Sequence, residues 1–179
     1  MAFDPFAILG LPRRFDLDPM QVQRAYLARA AMAHPDLLPG GGGGDVGPGS
    51  GSSAMDPSAL NRAKSVLDDP EQRADALLLL LGGPPREADR SLPDGFLVEI
   101  MDIRERLDAA VASRDTAVAA ELEAWAAQRR AGHIRAAAEL FGALPRPPSA
   151  DALRAIRREL NAWRYIERML EQVRDADRM

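Results

Sequence analysis

The sequence contains no cysteine. Disulfides, a thiol nucleophile and cysteine-ligated zinc or iron–sulfur clusters are therefore excluded, and a reducing compartment fits. Histidine is almost as scarce. There are only two, His34 and His133, far apart in the chain, so no metal site is expected. Aromatic residues make up 5% of the chain and β-branched residues are also few. Ala, Leu, Arg and Glu dominate, which favours an all-α fold. The longest apolar run, residues 76–81, is far shorter than the ~20 residues a membrane span needs, so no membrane partner is expected. There is no basic surplus either: 23 Lys and Arg stand against 27 Asp and Glu, a net charge of −4. A concentrated basic surface for phosphate backbones is missing, so nucleic acid is not an expected partner. The opening Met1-Ala2-Phe3-Asp4-Pro5 lacks the basic start and apolar segment of a signal peptide and is not an Arg-rich transit peptide. These features lead us to expect a soluble, cytoplasmic protein.

What the chain does have is punctuation. Asp-Pro occurs at Asp4-Pro5, Asp18-Pro19, Asp56-Pro57 and Asp69-Pro70. Asp accepts hydrogen bonds from free N–H groups at a helix start, and Pro at the first helical position loses nothing by lacking its own N–H. Each pair predicts a helix: residues 5–9, closed by Gly10 and Pro12; residues 19 to about 34; residues 57–68; and residues 70–81, stopped by Gly82-Gly83-Pro84-Pro85. Residues 37–55 hold a Gly/Ser tract that cannot supply a core and reads as a flexible loop. It lacks the Gly-Lys-Ser/Thr ending and preceding strand of a phosphate-binding loop. Three longer helical patterns follow a Pro/Gly/charge-rich stretch, at about 94–113, 115–141 and 149–175. Their short connections suggest an antiparallel three-helix bundle. The expected organisation is a helical domain at 1–81, a linker at 82–93 and a bundle at 94–179.

Proline disfavours helix in the residue before it, so the second helix should end near His34. That leaves His34, Pro35 and Asp36 together at a helix end. A catalytic His/Asp pair, as in a small hydrolase, would need a nucleophile or metal and a pocket, and a glycine tract follows instead. A histidine that merely favours a helix C-terminus is the other plain reading. The flanking residues carry more. Phe6-Ala7-Ile8-Leu9-Gly10-Leu11, Ala25-Tyr26, His34-Pro35-Asp36, Asn61-Arg62-Ala63-Lys64-Ser65-Val66-Leu67 and Pro70 with Arg73-Ala74 resemble a J-domain, the co-chaperone module that contacts ATPases of the DnaK and HscA type. The resemblance implies that His34, Pro35 and Asp36 stimulate the chaperone's ATPase. J-domains usually present basic residues on the helix before the tripeptide. Here Gln23, Leu27, Ala28, Ala31 and Met32 fill much of that region, leaving Arg24 as the clearest base, with Arg29 beside it. Docking should therefore depend little on salt.

On a wheel at 100° per residue, Phe96, Ile100, Ile103, Leu107 and Val111 form one stripe that suffices for a core. Leu97, Val98 and Met101 lie off it, with Asp102 and Glu105. Leu153, Ile156, Leu160, Trp163, Ile166, Leu170 and Val173 form the seam of the last helix, with Tyr165 and Met169 pointing elsewhere. Broad burial in a small bundle would explain the extra apolar residues; so would a docking face with acidic neighbours. The runs at residues 96–107 and 163–170 are similar to the C-terminal domain of HscB-type co-chaperones, which deliver the iron–sulfur scaffold protein IscU to a dedicated chaperone. The resemblance implies a scaffold site at Leu97, Val98, Met101, Asp102, Glu105 and Tyr165, no cofactor, no catalytic residue and a bacterial cytoplasmic location. A J-domain adaptor for another client remains the alternative. His133 reads as a surface or boundary residue, Trp125 and Trp163 as bundle packing, and the Arg/Glu runs of the last helix as a solvated face.

Overall fold

A computed structural model describes residues 3–33 and 56–176, with the side chains of residues 33, 170 and 173–176 left aside. His34-Pro35-Asp36 and the Gly/Ser tract lie outside the described residues, as do the side chains of Leu170 and Val173. Among the described residues there are seven helices and no strand: α1 (Pro5–Leu9), α2 (Pro19–Ala33), α3 (Pro57–Asp68), α4 (Pro70–Leu80), α5 (Phe96–Ser113), α6 (Thr116–Gly142) and α7 (Ala150–Ala176). The protein is all-α, as its composition implied.

All four Asp-Pro pairs open helices by the expected chemistry. The carboxylates of Asp4, Asp18, Asp56 and Asp69 accept from the N–H groups of Ala7 (3.0 Å), Met20 (2.9 Å), Ser58 (2.9 Å) and Gln72 (3.0 Å). Each satisfies a helix N–H that has no partner within the helix. α1 ends at Gly10, whose φ of 71° is the left-handed conformation that glycine adopts without Cβ strain.

The chain divides into two compact units, Met1–Ala76 and Leu77–Met179. In the first, α1 and α2 both pack on α3. Phe6, Leu9, Phe15, Leu17, Val22, Leu60, Ala63, Leu67 and Ala74 are buried there. Tyr26 Oη donates to Asn61 Oδ1 at 2.7 Å, joining α2 to α3 above that core. Arg73, 7% exposed, donates to the Leu67 carbonyl and lies over the Phe15 ring. Burial pushes its guanidinium pKa down, opposed by the carboxylates of Asp69, Asp68 and Asp16. This is a J-domain hairpin, α2 against α3, braced by α1 and by the start of α4.

The second unit is the three-helix bundle. α5 starts at Phe96 rather than at 94 because Gly95, at φ 77°, breaks the helical path. Asp115 caps α6 by accepting from Ala117 and Val118, each at 3.1 Å. Phe96, Ile100, Ile103, Leu107, Leu122, Ala126, Ala162, Ile166 and Met169 form one buried cluster, with Leu92, Val118 and Trp125 against it. Ala126, Ala137 and Ala162 are fully buried, and such small residues let helix axes approach closely. Trp163, also fully buried, donates from Nε1 to Glu167 at 2.8 Å.

Four expectations need correction. Val111 is 47% exposed and Ala110 takes its place in the core. Met169 is 7% exposed and belongs to the buried cluster, not to the face of Tyr165. His133 is buried, with Nδ1 2.6 Å from a Glu159 carboxylate oxygen and its ring edge-on to Phe96. The last helix is not solvated along its whole charged side: Arg157 is fully buried and donates from Nε to the Pro84 carbonyl at 2.8 Å.

Candidate protein-interaction sites

The first candidate lies on α2, which ends at Ala33, one residue before His34. Of its two basic residues, Arg24 is exposed, its Nε donating to the Met20 carbonyl one turn back at 3.2 Å. Arg29 is half-buried and lies over the end of α1: a Cβ added to Gly10 would meet its Nη2 at 2.6 Å. Large apolar side chains share the outer surface with Gln21: Met20 is 62%, Leu27 54% and Met32 78% exposed. At 100° per residue, Met20, Leu27 and Ala31 share a strip about 40° wide with Arg24 at its edge. The face contains a single well-exposed cation in an apolar setting.

The second candidate lies on α5. Its inner stripe occupies the core, yet Leu97, Val98 and Met101 are 54%, 67% and 70% exposed. Asp102 and Glu105 are exposed on the same helix. Tyr165, 43% exposed, comes from α7, and its ring meets Phe96 edge-on at a centroid distance of 6.0 Å. The contact brings the tyrosine against the first residue of α5. Glu99, next to Val98, pairs with Arg129 of α6 and is half-buried. Leu97, Val98 and Met101 are thus large apolar side chains in water on a helix whose opposite side already has a core.

Sequence patterning missed the polar residues that work inside the second unit. Asn161 is 6% exposed, and its Nδ2 donates to the carbonyls of Asp89 (3.0 Å) and Ser91 (2.9 Å). With Arg157 on Pro84, it holds the segment before α5 against α7. The available signal was spacing: Arg157, Asn161, Arg164 and Arg168 recur at intervals of 4, 3 and 4, one stripe of a helix. Among the described residues, no group of three or more His, Cys, Asp or Glu is placed to hold a metal, and no helix is long and apolar enough to cross a membrane.

A J-domain hairpin followed by a three-helix bundle with an exposed apolar and acidic face defines a two-part co-chaperone architecture. Residues 92–174 match the family model described as the HSCB C-terminal oligomerisation domain. The chain is 33% identical to the co-chaperone protein HscB homolog of Bordetella petrii, over 96% of this chain and 95% of that protein. It is 32% identical to the homolog of Bordetella pertussis, over 99% and 98%. The fold matches human co-chaperone HscB with a TM-score of 0.72 at 22% identity, covering 96% of this chain and 80% of that one. It matches HscB from Vibrio cholerae with a TM-score of 0.67 at 22% identity, covering 97% of both. The chain belongs to the HscB family of co-chaperones, as the resemblance implied.

Proposed function

We propose that this protein stimulates the ATPase of an HscA/DnaK-type chaperone and delivers to it an IscU-type iron–sulfur scaffold protein, in the bacterial cytoplasm, in support of iron–sulfur protein maturation. It does no chemistry of its own. His34, Pro35 and Asp36 address the chaperone, with Arg24 and Arg29 on the helix that precedes them. Leu97, Val98, Met101, Asp102, Glu105 and Tyr165 hold the scaffold. The two sites lie on separate units of one chain, so the protein acts as a link: it raises the local concentration of scaffold at the chaperone. A short polar turn can shift a chaperone toward its hydrolysing state by binding that state more tightly.

The observation that carries this reading is the exposure of Leu97, Val98 and Met101, each more than half open to solvent on a helix with a complete core stripe. The test measures scaffold binding and chaperone ATPase with the whole protein. Leu97→Ala with Met101→Ala is expected to weaken scaffold binding at least about tenfold, as loss of central apolar anchors does, with helical circular dichroism unchanged. His34→Gln is expected to remove ATPase stimulation and leave scaffold binding intact. Stimulation that survives His34→Gln rejects the chaperone assignment. Capture of a different client by the wild-type face, without the scaffold, favours a J-domain adaptor of another specificity.

A further inference from the structure

His133 puts a polar ring where a bundle core asks only for an apolar one. It is 8% exposed, and its Nδ1 stands 2.6 Å from a Glu159 carboxylate oxygen. A carboxylate accepts, so the proton sits on Nδ1, and the bond fixes the plane of the ring. Nε2 is buried too, and among the described residues it has no hydrogen-bond partner. A buried acceptor without a donor is a cost that an apolar side chain of similar size would avoid. Packing alone therefore does not account for a histidine at this position. What the bond to Glu159 adds to packing is orientation.

That orientation is passed on through ring contacts. Phe96 meets the His133 ring at a centroid distance of 6.4 Å with planes inclined at 72°. The same phenylalanine meets Tyr165 at 6.0 Å and 68°. Edge-to-face contacts of this kind depend on angle as well as on distance, because the positive edge of one ring lies against the negative face of the other. The string of contacts runs from Glu159 on α7 to His133 on α6, to Phe96 on α5 and back to Tyr165 on α7. Glu159 and Tyr165 are six residues apart, about 9 Å along one helix, so α7 closes the string. Phe96 is 4% exposed and is held by a close-packed interior. Tyr165 is 43% exposed, and among the described residues Phe96 supplies its one ring contact. A surface tyrosine held in this way has less rotamer freedom to lose when a partner binds.

The geometry points to His133, held by Glu159, as a positioning residue of the scaffold site: it sets the ring of Phe96, which in turn presents Tyr165 to the scaffold in one orientation. This rests on the scaffold-binding reading above. His133 does not itself reach the scaffold; its contribution to binding is the preorganisation of Tyr165.

The test uses the full chain, with scaffold binding followed by calorimetry and the Tyr165 ring by NMR. The sequence has two tyrosines, Tyr26 and Tyr165, so Tyr26→Phe identifies the Tyr165 signals. His133→Asn keeps a donor near the Nδ1 position and removes the ring. It is expected to weaken scaffold binding about three- to tenfold, the range that one aromatic pair supplies, and to move the Tyr165 ring signals toward those of an unfolded chain. On the Tyr165→Ala background the same substitution should cost no further affinity. Glu159→Leu, which releases the imidazole, should act in the same direction, whereas Glu159→Gln, whose amide oxygen still accepts from Nδ1, should keep wild-type affinity. Glu159→Leu carries the test if His133→Asn does not fold. If Tyr165→Ala weakens binding while His133→Asn and Glu159→Leu keep full affinity, the positioning role is wrong and the docking face stands. A loss that His133→Asn repeats in full on the Tyr165→Ala background assigns it to a general weakening of the bundle and also overturns the inference. If Tyr165→Ala leaves binding unchanged, the inference falls; if Leu97→Ala/Met101→Ala leaves it unchanged as well, the scaffold-binding reading falls with it.

Discussion

The buried ring of Phe96 meets the exposed ring of Tyr165 edge-on, with centroids 6.0 Å apart and planes inclined at 68°. The pair joins core to surface, and the two rings should answer differently to truncation. Phe96 is 4% exposed, so Phe96→Ala should cost about 3–5 kcal/mol in urea unfolding. Tyr165 is 43% exposed, and Tyr165→Ala should cost no more than the aromatic pair, about 0.5–1.5 kcal/mol, while weakening scaffold binding. Equal losses of stability would make Tyr165 a core residue and remove it from the docking face.

The contrast between Tyr165 and Met169 shows where sequence periodicity worked and where it stopped. Tyr165 lies 100° from the buried Ile166 on the helical wheel, whereas Met169 lies only 60° from it. A three-helix bundle buries a wide arc of each helix, wide enough to include the second and not the first. The α5 core shows a related effect. Phe96, Ile100, Ile103, Leu107 and Ala110 are buried, a 4-3-4-3 spacing that follows the 3.5-residue period of packed helices. On an ideal wheel of 3.6 residues per turn Ala110 and Val111 lie equally far from the centre of the stripe, about 50° to either side, so the larger apolar side chain drew the expectation to Val111, whereas the 3.5-residue period distinguishes the two. Helix starts were legible because an Asp-Pro pair is a local device whose hydrogen bonds reach only two or three residues along the chain. The partners of His133 and Arg157 were not legible, because Glu159 and the Pro84 carbonyl are 26 and 73 residues away, and no local pattern encodes such pairs.

Arg157 is therefore a position where charge in the sequence misleads and substitution should be costly. Its side chain is fully buried and its Nε donates to the Pro84 carbonyl. Arg157→Ala should remove about 2–4 kcal/mol of stability, from a cavity and a carbonyl left without that donor. Hydrogen exchange at residues 84–91 should speed up with it. The adjacent Arg158 is exposed, and Arg158→Ala should change stability by less than about 0.5 kcal/mol. A silent Arg157→Ala would mean that the segment is held by Asn161 alone.

The Asp4 cap gives the first unit a pH dependence of definite sign. Burial raises its carboxyl pKa, but the Ala7 N–H and the Arg13 guanidinium outweigh burial and leave it below the ordinary carboxylate value. A folded-state pKa below the unfolded one means that unfolding takes up protons as pH falls. The contribution is thus fully present above the unfolded-state value near 4 and is lost as pH drops through the lower folded-state value. Asn can still cap the helix, so Asp4→Asn isolates the charge. Wild type should exceed Asp4→Asn by up to about 1 kcal/mol near pH 7, the scale of an ion pair with an exposed arginine. The gap should close below pH 4, and a gap that persists there would assign the difference to cap geometry instead.

The outer face of α2 predicts how the proposed chaperone encounter responds to salt. Arg24 is exposed while Arg29 is folded over the end of α1, and Met20 and Leu27, on either side of Arg24 in the chain, are more than half exposed. Long-range attraction to an acidic partner scales with the number of exposed charges and is screened over about 8–10 Å in physiological salt. With one such charge, raising ionic strength from 50 to 300 mM should slow association with the chaperone only about two- to threefold, compared with the steep loss of strongly steered pairs. Arg24→Ala should flatten that dependence almost completely. Leu27→Asp should weaken docking at least about tenfold, because it puts a carboxylate into an apolar contact. A chaperone association that falls a hundredfold over the same salt range would show that cations elsewhere in the chain, rather than this face, guide the encounter.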